Sequence, residues 1–293
     1  MESNSSLELE MLMNIVIATL AGFISRWNLL RVDFRQYPTY PNGYLIHLTV
    51  GFIASAAGAI AVPALLSKNF TAVTFLLLSI QQFRDVRKME KSSLEELDKN
   101  AYFPRGASYI DGIAKTFESR NYLAMIISLT TVVLLLLLKG VLGKVISIGL
   151  TLVAIVLLHY FVSRFLKGHS IKDATDIEIA KISFKDSDLY VEDIFVSNIE
   201  DEKTKKRILE GGIGIILKPK GKNQVIQVHN TGQQQAIKHE CSRLLGLENY
   251  IESVNDLERG WIAICIVPIR KEPNSLIEII ENVPLLEVMR KQA

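Results

Sequence analysis

Tyr122-Leu-Ala-Met-Ile-Ile-Ser-Leu-Thr-Thr-Val-Val-Leu-Leu-Leu-Leu-Leu138 contains no charged residue and is closed by Lys139. About 20 predominantly apolar residues cross the hydrocarbon core of a bilayer, so this run predicts a transmembrane helix rather than a soluble core element. Four further apolar runs read the same way, at residues 11–25, 44–66, 70–83 and 145–162. The chain is therefore expected to begin with an α-helical membrane domain of about five transmembrane helices, over residues 1–167.

Lysine and arginine are retained in loops on the cytoplasmic side. Arg26, Arg31 and Arg35 follow the first run, and eight basic residues from Arg84 to Arg120 follow the third. Lys68, Lys139 and Lys144 are the basic residues of the two intervening loops. Eleven against three places the N-terminus outside and the C-terminus in the cytoplasm. The third run is short and contains Thr71, Thr74, Ser79, Gln81 and Gln82, so a re-entrant element is the alternative to a crossing. Re-entry would leave Lys68 and Arg84 on one side, and charge parity favours the crossing.

A formal charge of +2 leaves no basic face for a nucleic-acid partner once the topological residues are assigned. Cys241 and Cys265 lack metal-ligand spacing and read as buried reduced thiols. Glu2, Glu8 and Glu10 are wrong for a basic signal-peptide start, so the first helix is expected to stay as an anchor.

The composition changes near Gly168, and residues 168–293 are expected to form one cytoplasmic α+β domain. Alternation predicts strands at 176–184, 188–196, 212–218, 224–228 and 261–269, with helices at 202–210, 233–245 and 275–281. From Leu189 on, this order is the split unit of ferredoxin-like folds.

The polar residues of the membrane domain converge on the predicted inner face. Arg31-Val-Asp-Phe-Arg-Gln-Tyr-Pro-Thr-Tyr-Pro-Asn-Gly43 is shaped by two prolines and an Asn-Gly turn. Arg35, Gln36, Tyr37 and Pro38 are candidate partner-site residues there, although Trp27, Tyr37, Tyr40 and Tyr44 equally suit an aromatic belt. His47 heads a small-residue stripe of Gly51, Ser55, Gly58 and Ala59, which reads as tight helix packing. An ionisable residue within a span faces a cavity or a partner, and His159 lies near the same end of its own run.

Beyond the third run, Phe83, Val86, Met89, Leu94 and Leu97 form the apolar side of an amphipathic helix. Gln82, Arg84, Arg87 and Glu90 are polar-site candidates on it, though a solvated face with local ion pairs explains the charges too. A second amphipathic helix follows Pro104, with Ser108 as its expected N-cap. Arg105, Gly106, Tyr109, Asp111, Gly112, Glu118, Arg120 and Asn121 are its polar-site candidates. Gly112 inside a helical pattern suggests a kink or a close backbone approach.

His-Glu-x-x-His, P-loop and Gly-x-Ser-x-Gly signatures are absent, and no metal or cofactor is expected. Gly211-Gly-Ile-Gly214 precedes a strand and reads as a turn. Paired carboxylates splitting their pKa values would make a membrane peptidase, with Asp111 and one of Asp33, Asp85 or Glu118 as the pair.

Ser108-Tyr-Ile-Asp-Gly-Ile-Ala114 resembles the signature of the YIEGIA family, multi-pass membrane proteins of endospore-forming bacteria. Asp33 to Gly43, Phe70-Thr-Ala-Val-Thr-Phe75, Gln81-Gln-Phe-Arg84, Phe117-Glu-Ser-Arg-Asn-Tyr122, Gly212-Ile-Gly-Ile-Ile216 and Ile266-Val-Pro-Ile269 extend the likeness over nearly the whole chain. Asp111 stands where the name-giving motif has glutamate, which keeps the charge and shortens its reach. The resemblance implies a role in sporulation, in a membrane of the developing spore.

Three readings compete. The leading one is a regulatory component whose inner loops and tail bind a protein partner, with the tail packed over residues 33–43 and 104–121. The second is the peptidase. The third is a small-solute pathway lined by Thr71, Thr74, Gln81 and His47.

Overall fold

Long apolar and amphipathic runs joined by short connections can bury their polar backbone only as helices, and five of them fill the first part of the chain. A computed structural model describes residues 2–36, 43–142, 144–165 and 169–286. The helices are α1 (Glu2–Gln36), α2 (Gly43–Leu66), α3 (Phe70–Lys99), α4 (Ala107–Leu142) and α5 (Lys144–Phe165). Within them Glu8–Leu30, Tyr44–Leu66 and Ala107–Lys139 are long and apolar enough to cross a membrane. Val145–Phe161 is apolar but shorter. The expectation of about five spans is thus met by length and composition at three helices, because the second half of α3 is charged and the apolar part of α5 is brief.

Two compact units result, one from the described residues up to Ser93 together with Ile113 to Phe165, the other from Leu94–Gly112 together with His169 onward. In the first, contacts fix helix directions. α1 runs against α2, with Trp27 on Tyr44, Gly22 near Ser55 and Ala18 near Ala59. It also runs against α4, from Arg26 beside Asn121 to Glu10 beside Lys139. α3 runs against both α2 and α4, with Phe83 packed on Ala54 and Ala124 and Glu90 beside His47. α5 is parallel to α1, since Ser25 meets His159 at one end and one cavity is lined by both Asn14 and Ser147 at the other.

The small-residue stripe packs as the sequence suggests. A Cβ on Gly58 would fall 2.2 Å from the Met125 carbonyl oxygen, and one on Gly22 would fall 2.6 Å from that of Ala124. The Ser128 hydroxyl, fully buried, lies within hydrogen-bonding distance of the Ala18 and Ser55 carbonyls, which ties α4 to both partners. Asn69 starts α3 by accepting from the Ala72 amide, after Lys68 turns the chain in a left-handed conformation.

The second unit continues with α6 (Ile171–Ala174), β1 (Thr175–Ala180), β2 (Ile182–Lys185), β3 (Asp188–Val191), β4 (Ile194–Asn198), α7 (Glu202–Gly211), β5 (Ile213–Pro219), α8 (Lys222–Val228), α9 (Thr231–Leu245), β6 (Leu247–Asp256), β7 (Trp261–Pro268) and α10 (Pro273–Asn282). One antiparallel sheet has the order β1-β5-β7-β6, and a second is the meander β2-β3-β4. β5 and β6, joined through α8 and α9, flank β7, which is the split arrangement of ferredoxin-like sheets. The other edge is β1, from the start of the unit, so the chain path differs from the order expected from Leu189. Leu189, Val191, Ile194 and Val196 of the meander instead pack over Ile216, Ala263, Cys265 and Val267 of the main sheet. Residues of β5 are consequently buried on both faces.

Several boundaries differ from expectation. The stretch 176–184 is two strands broken at Lys181, and 188–196 is a hairpin turning through Glu192 at φ 55°. Residues 224–228, expected as a strand, lie in the helix α8, whose Val228 alone is buried. β6 has no legible alternation in the sequence because a register shift between Leu247 and Ile251 breaks it. α4 starts one residue before the expected Ser108 cap: Gly106, at φ 86°, precedes the helix and its carbonyl accepts from Tyr109 and Ile110. α4 also passes through Gly112 without interruption, where a Cβ would make an ordinary 3.6 Å contact with Leu286.

Candidate functional site

Within the first unit, one buried polar residue from each of four helices meets around the Phe117 ring. Arg26 of α1 is fully buried, its Nε donating to Asn121 Oδ1 of α4 at 3.3 Å. Its guanidinium carbon lies 6.0 Å from the Phe117 centroid. His47 of α2 stacks on the same ring at 4.1 Å, and its Nδ1 lies 3.2 Å from Glu90 Oε1 of α3. Gly51 makes this possible, since a Cβ there would fall 2.5 Å from Arg26 Cγ. Burial pushes the Glu90 carboxyl up to about 7, opposed by the Arg26 charge and reinforced by Glu118.

At the edge of this cluster Glu118 accepts from Arg87 Nη1 at 2.9 Å and from the Tyr122 hydroxyl at 3.3 Å. Phe83 meets Tyr122 edge-on.

Within the second unit, α9 holds the connection between α3 and α4. Asp98 organises that connection from inside: its Oδ1 accepts from the Arg105 amide at 2.8 Å and from Arg105 Nη1, and its Oδ2 accepts from the Gly106 amide. A carboxylate at these amides also suits the positive end of α4. From α9, Gln235 Nε2 donates to the Pro104 carbonyl at 2.7 Å, and His239 Nδ1 donates to that of Phe103 at 2.7 Å. The carbonyl can only accept, so Nδ1 carries the proton in the neutral ring. Burial, the largest effect, pulls the His239 pKa down, with Arg105 acting the same way and the Phe103 carbonyl opposing. Tyr109 donates to Glu240 Oε1 at 3.1 Å, and Arg243 holds Glu240 Oε2 through Nε and Nη2. Gly232 admits Ser108, whose Cβ would be 2.6 Å from a Cβ at that position.

Of the sequence candidates, His47, Glu90 and Asn121 enter the first cluster, with Arg87 and Glu118 at its margin. Arg105, Gly106 and Tyr109 enter the clasp. Arg120 is buried and Asp111 half-buried on α4; Gly112 packs beside Leu286. Gln82, Arg84 and Asp85 are exposed on α3. Arg35, Gln36 and Asp33 fall in the last turns of α1, where the backbone alone is described, and Tyr37 and Pro38 lie outside the described residues. The expected packing of the tail over residues 104–121 is seen in the second unit for 104–112; residues 37–42 of the other expected contact lie outside the described part.

Of the expected catalytic pairs, Asp111 with Glu118 is not assembled. Asp111 and Glu118 sit seven residues apart on one helix, about 10 Å along its axis, too far to share a proton. Glu118 is already held by Arg87, and Asp85 points to solvent. The proposed solute lining is also separated, because Thr71, Thr74 and Gln81 are exposed while His47 is buried. His47 and His159 have different partners, Glu90 and Ser25. No group of three metal-ligating side chains occurs among the described residues. Arg26, Asp98, His239 and Glu240 were not singled out from sequence: Arg26 read only as a topological charge, and the tail residues sit on a helix that looks like any amphipathic one.

Over 280 residues the chain is 39% identical to the "Uncharacterized protein YphB" of Bacillus subtilis (strain 168), covering 93% of this chain and 92% of the relative. No solved structure matches it. The family model described as "YIEGIA protein" matches residues 14–293, so the likeness seen in separate motifs extends through both units, and the chain belongs to the YIEGIA family.

Proposed function

We propose that this chain is a five-span membrane protein of the developing spore, N-terminus outside and C-terminus in the cytoplasm, acting as a regulatory docking platform for a protein partner. The alternating directions of α1 to α5 support five crossings. α3 is one uninterrupted helix, which favours a crossing over re-entry.

The observation that carries the docking reading is the clasp. Residues Leu94–Gly112 belong to the same compact unit as the C-terminal domain, and they include the end of α3 and the start of α4. A partner that displaces or tightens α9 therefore acts on two membrane helices at once. Leu97 and Tyr102 on the clasped segment are 57% and 72% exposed, leaving apolar contacts available to such a partner.

Quantitative proteomics on sporulating cells tests this reading, with the gene intact, deleted, or carrying Asp111→Asn at matched protein level. Docking predicts a spore defect on deletion with no single protein accumulating. Accumulation of the same one or few proteins in the deletion and the Asp111→Asn strain would replace docking by regulated proteolysis.

A further inference from the structure

The exposed face of α3 differs from those of α1 and α4. On α1 the exposed residues include Val16, Leu20 and Ile24, and on α4 Ile126, Leu129 and Leu137, an apolar surface that suits lipid. On α3 the exposed residues Thr71, Thr74, Leu78, Gln81, Asp85 and Lys88 recur at alternating intervals of three and four, opposite the buried Phe83 and Glu90. That spacing is the period of a coiled-coil seam, and it runs unbroken from the apolar half of the helix into the charged half.

The apolar run 70–83 is shorter than the about 20 residues that cross a hydrocarbon core, so a crossing α3 carries Gln81 inside the bilayer. Thr74 turns its hydroxyl back to the Phe70 carbonyl, which suits a lipid-facing position. The Gln81 amide makes no hydrogen bond among the described residues, and its stem is too short to carry it to the headgroups as a lysine or arginine stem can. An amide left bare in hydrocarbon is costly, and polar side chains of this kind hold neighbouring helices together.

We infer that this face of α3 is the interface between two copies of the chain, related by a two-fold axis along the membrane normal. The inference rests on the five-span reading, which makes α3 cross. Copies inserted with one topology present α3 in parallel, and a two-fold contact needs a surface complementary to itself. The stripe meets that need twice. The Gln81 amide carries donors and an acceptor, so it bonds its own counterpart in both directions. One turn farther, Asp85 of each copy faces Lys88 of the other, and the two-fold repeats that pairing on both sides of the seam. Within one copy these two charges hold each other loosely, 3.7 Å apart with side chains 51% and 77% exposed.

The test oxidises single-cysteine variants of the full-length protein in phosphatidylethanolamine–phosphatidylglycerol liposomes at a high lipid-to-protein ratio. Leu78→Cys, in the middle of the seam, is expected to give a disulfide-linked dimer. Val153→Cys is the matched control, since Val153 on α5 is 58% exposed and Leu78 55%; it is expected to stay monomeric. Adding Gln81→Leu to Leu78→Cys should lower the dimer yield about fivefold. Equal yields at 78 and 153, or an undiminished yield with Gln81→Leu, overturns the seam. So does oxidation in sporulating cells that joins Leu78→Cys to a different protein and gives no dimer. Impermeant maleimide labelling of Ser67→Cys and Ser93→Cys in the same liposomes checks the crossing of α3. Labelling of both from one side in a uniformly oriented preparation would sink the span reading, whereas opposite sides without the dimer would sink the seam alone.

Discussion

The hydroxyl of Tyr109, in the first turns of α4, donates to the carboxylate of Glu240 on α9 at 3.1 Å, across 131 residues of chain. Both side chains are buried, and Arg243 holds the second carboxylate oxygen, so the acceptor is fixed before the tyrosine arrives. A hydrogen bond to a charged group contributes about 1.5–3 kcal/mol. Tyr109→Phe is therefore expected to raise amide hydrogen exchange in residues 101–110 while β5 and β7 keep their protection. Unchanged exchange in that segment would show that the bond does not hold it.

His239 gives the same clasp a pH dependence. Its folded pKa lies below the unfolded value of about 6.5, so the unfolded state binds more protons as pH falls below that value. The stability it contributes is complete above pH 6.5 and declines toward the folded pKa. Hydrogen exchange of residues 101–106 should accelerate on going from pH 7 to pH 5.5, measured after correction for intrinsic exchange. In His239→Gln this extra acceleration should vanish.

Glu90 gives the membrane unit the opposite slope. Its folded pKa of about 7 exceeds the ordinary carboxylate value, so the folded state holds the proton more tightly. Stability is full below the unfolded pKa and falls as pH rises through 7, by at most about 3 kcal/mol. Thermal unfolding in detergent should show Tm decreasing from pH 5 to pH 8 in the wild type. Glu90→Gln should flatten that dependence.

Gly58 and Gly149 make a matched pair for helix packing. A Cβ on Gly58 collides with the Met125 carbonyl, so Gly58→Ala must push α2 from α4 and is expected to cost about 1–3 kcal/mol. Gly149→Ala meets nothing and gains helix propensity of about 1 kcal/mol at most. Opposite Tm shifts are expected; similar shifts would contradict the close α2–α4 approach.

Cys241 and Cys265 are buried in the second unit, burial being the larger cause that holds both thiols protonated, with Cys265 pushed up to about 12. Maleimide at pH 7.5 should label neither in the native protein and both after denaturation. Labelling of the native protein would show that the sheet opens at β7 or α9.

Much of this was legible in the sequence because apolarity and period report burial directly. Residues 44–66 and 122–138 announce their helices, and Gly51, Ser55 and Gly58 announce close packing. The charged second half of α3 hid its continuity with the apolar half, since hydropathy falls where the helix does not end. The register shift in β6 hides its alternation, and residues 224–228 of α8 read as a strand because five residues of Gln, Val and Ile suit either period. The polar cluster was half visible. His47 is unusual inside an apolar run, but its link to Glu90 and Arg26 joins three helices, and nothing in local spacing specifies that. The clasp was less visible still, because Asp98 acts on backbone amides and α9 contacts carbonyls, neither of which depends on a recognisable side-chain motif.

Site-specific photocrosslinking from Tyr102, exposed on the clasped segment, is the most direct measurement of docking. It compares sporulating cells carrying the wild-type chain or His239→Ala at equal protein level. Docking governed by the clasp predicts a discrete protein adduct in the wild type that weakens or disappears in His239→Ala. An identical adduct in both strains, or none in the wild type while crosslinking at Leu97 also fails, would contradict it.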